Sequence, residues 1–172
     1  MQELLSAARR VPDLFDLRGK VAVITGATGG IGRGLSLALA GAGANVALLG
    51  RREDELAELA ETIARRLDVA ATWHAVDVLD EAGVAAVFQS IAQAHEGLDI
   101  LVNSAGIAAL GPALDIPLSE WRQGLRVNLE GTFICCRAAA RHMLPRGRGK
   151  IINISSVRGL QGRSGYSSYA PS

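Results

Sequence analysis

A glycine-rich stretch near the start of the chain has the composition and position of a phosphate-binding turn. Residues 25–32 read Thr-Gly-Ala-Thr-Gly-Gly-Ile-Gly; they follow the apolar, β-branched run Val21–Thr25 and open a pattern in which Ile31, Leu35 and Leu39 recur every four residues. A helix amino terminus offers unpaired N–H groups and a positive dipole end, and glycine lets a pyrophosphate approach the backbone. The stretch therefore predicts a nucleotide site, with a glycine turn that holds no ligand as the alternative.

Two common phosphate-binding patterns do not match this turn. The phosphate loop of NTPases ends in Gly-Lys-Ser/Thr, and the turn contains no lysine. The G-x-G-x-x-G pattern fails because Thr28 stands where its second glycine belongs. The stretch fits Thr-Gly-x-x-x-Gly-x-Gly through Gly26, Gly30 and Gly32. Because Gly29 is also present, it fits Thr-Gly-x-x-Gly-x-x-Gly equally well, so the glycines alone leave both patterns open.

Two further polar residues stand at positions where chemistry is plausible. Leu118, Trp121, Leu125 and Asn128 follow one another at steps of three, four and three, which places Asn128 on an apolar helical stripe. A polar side chain that faces a core needs either a partner or a function, and satisfaction by the backbone is the alternative to a functional role. Ser156 ends an apolar run, and ligands of open parallel sheets lie beyond the carboxyl ends of the strands.

Short apolar runs alternate with helical patterns along the whole chain. The runs cover residues 21–25, 46–49, 72–76, 99–102 and 150–155, and their apolar character is typical of strands buried on both faces of a parallel sheet. Between them lie helical patterns, including one that Asp80 can cap and a long one from about Leu118 to Leu144. Five strands alternating with four helices predict an α/β fold with a doubly wound parallel sheet.

Composition excludes several classes of protein. The 172 residues carry a net charge of +1, which does not favour binding to nucleic acid or to acidic membranes. The two cysteines are adjacent and the three histidines are scattered, so we expect no disulfide framework and no metal site. No signal peptide and no apolar run of membrane-spanning length is recognisable, which predicts a soluble, cytoplasmic protein. Residues 17–172 read as one domain, and residues 1–16, with Leu4, Leu5 and Val11, as an amino-terminal extension.

Four motifs taken together resemble the short-chain dehydrogenase/reductase family. Besides the glycine turn, these are Leu-Val-Asn-Ser-Ala-Gly at 101–106, Arg-Val-Asn-Leu-Glu-Gly at 126–131, and Ile-Asn-Ile-Ser-Ser at 152–156 with Tyr169 thirteen residues after Ser156. The Asn-Ser-Ala-Gly turn and the short spacing favour the single-domain branch over the epimerase-like branch. The resemblance covers roughly residues 16–172. It implies a Rossmann-like sheet of strand order 3-2-1-4-5 that lacks the family's last strands and helices.

The resemblance implies a set of cofactor-binding residues. These are the turn residues Gly26, Thr28, Gly30, Ile31 and Gly32, the adenine-side residues Asp77 and Val78, and Asn103, Ala105 and Gly106 after the fourth strand. In the family the Asn steadies the central sheet, and the Ala–Gly backbone lies against the cofactor. Here Ser104 replaces the family's second Asn.

The resemblance also implies three catalytic residues. Asn128 would help to form a proton relay, Ser156 would polarise a substrate carbonyl, and Tyr169 would protonate it. Ser155 is the alternative serine, but successive strand side chains point to opposite faces, so only one of the pair is expected to face the site. Tyr166 is the alternative tyrosine and lies only ten residues after Ser156.

The end of the second strand predicts which nicotinamide cofactor is used. An acidic residue there usually holds the ribose 2′-OH, whereas an Arg accommodates a 2′-phosphate. Gly50 occupies the place of the acid, and Arg51 and Arg52 follow. We therefore expect NADP(H) rather than NAD(H), with Arg51 as the main phosphate contact. A solvated arginine pair is the alternative.

The most direct functional hypothesis is an oxidoreductase that moves a hydride between a nicotinamide cofactor and a small-molecule alcohol or ketone, of the sugar-acid or 3-oxoacyl type. The alternative is a dinucleotide-binding module or regulatory pseudo-enzyme without turnover. The family's lysine, four residues after the Tyr, falls beyond Ser172. We therefore expect the parent chain to continue with a lysine, and residues 1–172 alone to be inactive with Tyr169 loosely held. We expect the complete protein to be a homo-oligomer that pairs through the long helix near Phe133, Cys136 and Ala140.

Overall fold

The computed structural model describes residues 15–172, so the expectations for Leu4, Leu5 and Val11 lie outside the described residues. Strands and helices alternate along the chain. The strands are β1 (Val21–Thr25), β2 (Asn45–Gly50), β3 (Ala71–Ala75), β4 (Ile100–Asn103) and β5 (Lys150–Asn153). The helices are α1 (Gly30–Gly41), α2 (Glu53–Leu67), α3 (Glu81–Ala94), α4 (Leu118–Leu125) and α5 (Gly131–Met143).

The five strands form one parallel sheet of order β3-β2-β1-β4-β5, which confirms the predicted fold class and strand order. The chain moves outward from β1 to β3 on one side and then crosses to β4 on the other. The strand order therefore reverses between β1 and β4, and the crevice that forms at the carboxyl ends of these two strands is where such sheets bind ligands.

Each face of the sheet carries its own hydrophobic core because successive strand side chains alternate between faces. Val21 and Val23 of β1 join one core, and Ala22 and Ile24 join the other. The first core is completed by side chains of α3 and α5, and the second by side chains of α1 and α2. Helices thus cover both faces, as a doubly wound sheet requires.

The two outer strands are less buried than their apolar sequences predict. All residues of β1 and β4 are buried, whereas every residue of β5 is exposed and β3 is only partly covered. Ile151 and Ile152 are 40% and 46% exposed. Burial on both faces therefore holds for the central strands but not for the two outer ones, and β5 pairs only with β4 among the described residues.

The long helix predicted from Leu118 to Leu144 is interrupted. A π-helical turn at Arg126–Glu130 separates α4 from α5, and a 3₁₀ turn follows α5 at Leu144–Arg146. π-Helical turns inside α-helices are frequent at functional sites. By contrast, Asp80 caps α3 as predicted, because its side chain accepts a hydrogen bond from the Gly83 N–H at 3.0 Å.

Candidate active site

The turn between β1 and α1 has the close approaches that only glycine permits at two positions. Gly26 has a φ of +64°, and a Cβ added there would lie 2.7 Å from the Cα of Ala105. A Cβ on Gly32 would collide with the carbonyl oxygen of Gly26. The first glycine therefore lets the turn close against the end of β4, and the second lets α1 begin directly beneath the turn.

A buried threonine joins this turn to the turn after β4. Thr25 is 1% exposed, and its Oγ1 accepts hydrogen bonds from the backbone N–H groups of Ser104 and Ala105, at 3.2 and 3.1 Å. These bonds hold the two turns side by side at the point where the strand order reverses. The crevice is therefore built from backbone that the sheet itself positions.

A first cleft with a volume of about 240 Å³ opens along the glycine turn. Its lining includes eight of the residues that the sequence assigns to cofactor binding: Gly26, Thr28, Arg51, Arg52, Asp77, Val78, Ala105 and Gly106. The cleft runs from the ends of β2 and β3, where the arginines lie, to the turn after β4. Exposed backbone and two guanidinium groups in one elongated cleft suit a ligand that carries several phosphates.

The arginines of the first cleft have polar partners that a phosphate could replace. Arg52 donates from Nη2 and Nε to Thr28 Oγ1, at 2.9 and 3.2 Å, and its Nη1 lies 2.9 Å from a Glu55 oxygen. Arg51 Nη1 lies 3.9 Å from an Asp77 oxygen. All of these side chains are partly exposed, where ion pairs contribute little, so both guanidinium groups can turn toward a bound anion at small cost.

A second cleft of about 520 Å³ contains the three residues that the sequence assigns to catalysis, Asn128, Ser156 and Tyr169. It shares the segment 104–107 with the first cleft. The two clefts therefore meet at the end of β4, and an extended molecule lying in the first would reach the second. The structure thus brings together residues from α1, the π-helical turn and the chain after β5.

Asn128 holds the backbone that joins the two clefts. Its Oδ1 accepts from the Ile107 N–H at 2.8 Å, and its Nδ2 donates to the Ile107 carbonyl at 2.9 Å and to Ser172 Oγ at 2.8 Å. Its own carbonyl accepts a bond of 2.7 Å from Thr132 Oγ1. The hydrogen-bonding groups of the Asn128 side chain are therefore satisfied mainly by backbone, which is the alternative that the sequence left open. A role of Asn128 in a proton relay stays a prediction.

Ser156 lies beyond the end of β5 and begins a short 3₁₀ turn, Val157–Gly159. Its Oγ accepts a hydrogen bond of 3.2 Å from the Arg158 N–H. The sequence predicts that this serine stands at the end of the fifth strand, but β5 already ends at Asn153. Strand alternation therefore does not separate Ser155 from Ser156. Both line the second cleft, and the assignment of Ser156 stays a prediction.

The segment that carries Tyr169 is anchored rather than loose. Trp121 Nε1 of α4 donates to the Ser167 carbonyl at 3.1 Å, and the buried Ser168 donates from Oγ to the Ala109 carbonyl at 2.8 Å. The ring of Tyr169 also packs edge-on against Tyr166, with centroids 6.0 Å apart. These bonds to residues far away in the sequence hold Tyr169 in the second cleft, so the expectation of a loosely held tyrosine is wrong.

Three residues that the sequence assigns to cofactor binding line neither cleft: Gly30, Gly32 and Asn103. Asn103 is buried, donates from Nδ2 to Asn153 Oδ1 at 2.9 Å and also contacts Cys136 Sγ at 3.2 Å. It thereby ties β4 to β5 and α5. Burial raises the pKa of the Cys136 thiol, and the hydrogen bond from Asn103 partly opposes that rise.

The clefts also contain residues that the sequence analysis did not assign to a site. In the first cleft these are Gly29, Gly50, Val76, Ser104, Ile107 and Val127. Ser104 stands inside the Asn-Ser-Ala-Gly motif and Gly50 directly precedes the arginine pair, so their positions in the sequence could have indicated them. Ile107 and Val127 are apolar, and only the path of the chain after β4 brings them into the lining.

Two kinds of feature are absent from residues 15–172. No group of three or more His, Cys, Asp or Glu side chains there could hold a metal ion. Within the same described part of the chain, every helix is too short or too polar to cross a membrane.

Comparison with known proteins identifies relatives of this chain. The family model described as short chain dehydrogenase matches residues 20–172. A 3-oxoacyl-acyl-carrier-protein reductase of Aquifex aeolicus is 38% identical over 154 residues, which cover 90% of this chain and 62% of that protein. Among solved structures, a gluconate 5-dehydrogenase from Burkholderia cenocepacia in complex with NADP and tartrate has a TM-score of 0.87 at 40% identity, with 93% of this chain and 62% of that chain covered.

An NAD⁺-bound xylitol dehydrogenase also has a TM-score of 0.87, at 30% identity, with 90% of this chain and 60% of that chain covered. The chain therefore spans about 60–62% of the length of these three relatives. The family match covers nearly all of the described residues, including both clefts. The chain belongs to the short-chain dehydrogenase family.

Proposed function

We propose that this chain is the nucleotide-binding and catalytic part of an oxidoreductase that transfers a hydride between NADP(H) and a small alcohol or ketone. The observation that carries the proposal is the segment 104–107, which lines both clefts. One cleft offers glycine backbone and arginines, and the other offers Asn128, Ser156 and Tyr169. A dinucleotide held along the first would place its far end beside these polar side chains.

The residues of the first cleft fit a nicotinamide dinucleotide. The N–H groups at the start of α1 would hold the pyrophosphate, since Thr28 and Gly29 line the cleft there. Asp77 and Val78 would lie beside the adenine. Ala105 and Gly106, at the junction of the two clefts, would lie beside the nicotinamide half.

The negative charge that develops on the substrate oxygen defines the role of each proposed catalytic side chain. A bound nicotinamide supplies or accepts the hydride. As a ketone gains a hydride its oxygen becomes negative, so Ser156 would stabilise that charge with a hydrogen bond and Tyr169 would deliver a proton. Asn128 would keep the segment at Ile107 in place, so that the wall between the clefts holds its shape.

The preference for NADP(H) rests on the end of β2. Gly50 leaves no carboxylate there to hold a ribose 2′-OH, and Arg51 and Arg52 both line the cleft. The two solved relatives hold different cofactors, NADP in one and NAD⁺ in the other. Arg51 is the main phosphate contact in this proposal, because Arg52 is already held by Thr28 and Glu55 while Arg51 has a single ion pair at 3.9 Å.

Single substitutions test the cofactor proposal. Arg51→Ala should weaken the binding of NADPH by about tenfold or more, because a charge-assisted hydrogen bond contributes about 1.5–3 kcal/mol. Arg52→Ala should weaken NADPH binding less, and neither change should alter NADH binding by more than a few-fold. Titration followed by nicotinamide fluorescence measures the dissociation constants of NADPH and NADH for the unmodified chain and for both variants. Arg51→Ala with unchanged NADPH affinity would refute the assignment.

Substrate class follows in part from the relatives. The names of the three proteins refer to a 3-oxoacyl thioester, a sugar acid and a sugar alcohol, all of which carry or form a carbonyl next to other oxygen groups. We propose a substrate of the sugar-acid or 3-oxoacyl type. We also propose a cytoplasmic location and a homo-oligomer that forms through α5, where Phe133 is 59% exposed.

A second candidate is a nucleotide-binding module without turnover. One observation favours it: no Arg or Lys side chain is among the described residues that line the second cleft. A phenol is a slow base at neutral pH unless a nearby cation stabilises its phenolate. We accordingly propose that residues 1–172 alone bind nucleotide but do not turn over substrate.

A chimera separates the two candidates. The part of the Aquifex aeolicus reductase beyond the matched region can be joined after Ser172, and oxidation of NADPH measured with acetoacetyl thioesters and keto sugar acids. The enzyme proposal expects turnover that falls at least about a hundredfold in Tyr169→Phe, since a positioned proton donor contributes about 10²–10⁴-fold. Tight NADPH binding by a folded chimera without any turnover would support the module instead.

A further inference from the structure

Two arginines flank a tyrosine next to the proposed catalytic pair. The guanidinium carbons of Arg158 and Arg163 lie 5.5 and 5.6 Å from the centroid of the Tyr166 ring. That ring packs edge-on against the ring of Tyr169, and the Arg158 N–H donates to Ser156 Oγ. Only the Tyr166 ring therefore separates the two guanidinium groups from Tyr169, and Arg158 also bonds Ser156 through its backbone.

The local charge is strongly one-sided. Residues 131–172 contain seven Arg or Lys residues and no Asp or Glu. Three of the other arginines in this region pair with carboxylates from elsewhere: Arg137 with Glu81, and Arg146 and Arg148 with Asp99. Arg158 and Arg163 have no carboxylate partner among residues 15–172.

Stacking on Tyr166 restrains both guanidinium groups without neutralising them. A cation over an aromatic face is held by the ring's negative face, yet the guanidinium N–H donors at its edges stay available for an anion. An arginine preorganised in this way loses less side-chain entropy when it binds a carboxylate than a freely moving one would. The arrangement therefore suits recognition of a planar anion.

We propose that Arg158 and Arg163 form an anion subsite around Tyr166, next to the second cleft, so that the substrate of this chain carries a carboxylate close to its reacting carbon. This inference rests on the proposed function and narrows its substrate class to a hydroxy acid or oxo acid. A carboxylate belongs there because only the ring of Tyr166 separates the two arginines from the ring of Tyr169. The phosphate of a carrier-bound thioester is separated from its carbonyl by a long pantetheine arm, and a neutral polyol has no charge to pair.

Matched ligands and matched variants test the subsite. The probes are D-gluconate and sorbitol, which have the same carbon chain with and without a carboxylate, titrated calorimetrically into the NADP⁺-saturated chain. The variant is Arg158→Gln with Arg163→Gln, and a second variant has Lys at both positions to keep the charge. The control is Arg141→Gln, which removes an exposed arginine of α5 near Gln89 and Arg146, away from both clefts.

Gluconate should bind at least about tenfold more tightly than sorbitol to the unmodified chain. The double Gln variant should lose that preference, the double Lys variant should keep most of it, and the control should keep all of it. All variants should bind NADP⁺ as the unmodified chain does.

Three results would overturn the subsite: equal binding of gluconate and sorbitol, a gluconate preference that survives the double Gln variant, or loss of preference in the control. Acetoacetyl-pantetheine with and without its 4′-phosphate serves as a further arm. A preference for the phosphorylated form that depends on the two arginines would assign them to a carrier and overturn the carboxylate proposal. Failure to bind NADP⁺ would count against the proposed function itself. The failure of the anion subsite and the failure of the proposed function therefore give different results.

Discussion

Replacing Gly26 by Ala should destabilise the fold and abolish nucleotide binding together. A side chain at φ +64° adopts the left-handed region, which costs an L-residue about 1–2 kcal/mol. The new Cβ would also lie 2.7–2.9 Å from backbone atoms of Ser104 and Ala105, and forcing atoms into packed structure costs about 1–3 kcal/mol. The free energy of unfolding should therefore fall by roughly 2–5 kcal/mol.

Urea denaturation followed by circular dichroism measures this loss. With a slope of about 2 kcal/mol per molar urea, the midpoint should fall by about 1–2.5 M. Gly34→Ala is the matched control, because a Cβ at that exposed position of α1 meets nothing within 4 Å and Ala is the better helix former. The control should be as stable as the unmodified chain or slightly more so. Equal stability and equal NADPH binding in Gly26→Ala would refute the account of the turn.

Three further predictions follow from other parts of the structure. Arg146→Met should lower the free energy of unfolding by about 1–3 kcal/mol, because it removes an ion pair of 3.2 Å from the mostly buried Asp99; chemical denaturation measures the loss. Burial raises the pKa of Cys135 to about 12 from an ordinary 9.0, so its neutral thiol stabilises the fold fully below pH 9, and this contribution is lost as the pH rises toward 12. Stability measured between pH 8 and 11 should therefore decline less steeply in Cys135→Ala than in the unmodified chain, and parallel curves would contradict this. Trp121→Phe should free the Ser167 carbonyl and raise amide hydrogen exchange across 166–170 without changing exchange in β1, whereas unchanged exchange at 166–170 would show that the bond does not anchor this segment.

The fold was largely predictable because its signals are local and repeated. Short β-branched runs separated by helical patterns leave few topologies, since crossovers in parallel sheets are right-handed. The interruption at Arg126–Glu130 was not predictable, because the spacing from Leu118 to Asn128 continues a helical period. A tertiary contact accompanies the interruption, because the Asn128 side chain bonds the backbone of Ile107, 21 residues earlier in the sequence. The residue at which β5 ends likewise depends on its pairing with β4, which the apolar run in the sequence does not predict.

The residues of the candidate site also fall into two groups, those that a local sequence pattern predicts and those that only tertiary contacts place. The glycine spacing and the Arg pair after β2 could be assigned to a cleft because each lies within one turn of a recognisable strand. Ile107 is held at the cleft by its bonds to Asn128, and the segment that carries Tyr169 is held by Trp121 and Ser168, which no local pattern connects to it. The choice between Ser155 and Ser156 failed to follow from alternation because the strand ends before both of them.

The central claim is that one nucleotide lies along the glycine turn and reaches the second cleft. Amide hydrogen exchange of the chain, measured with and without NADPH, tests this claim most directly. The account predicts protection at residues 26–32 and 104–107, weaker protection at 154–156, and no change in α3, which lies away from both clefts. Binding of NADPH with protection confined to other parts of the chain, or no protection at saturating NADPH, would contradict it.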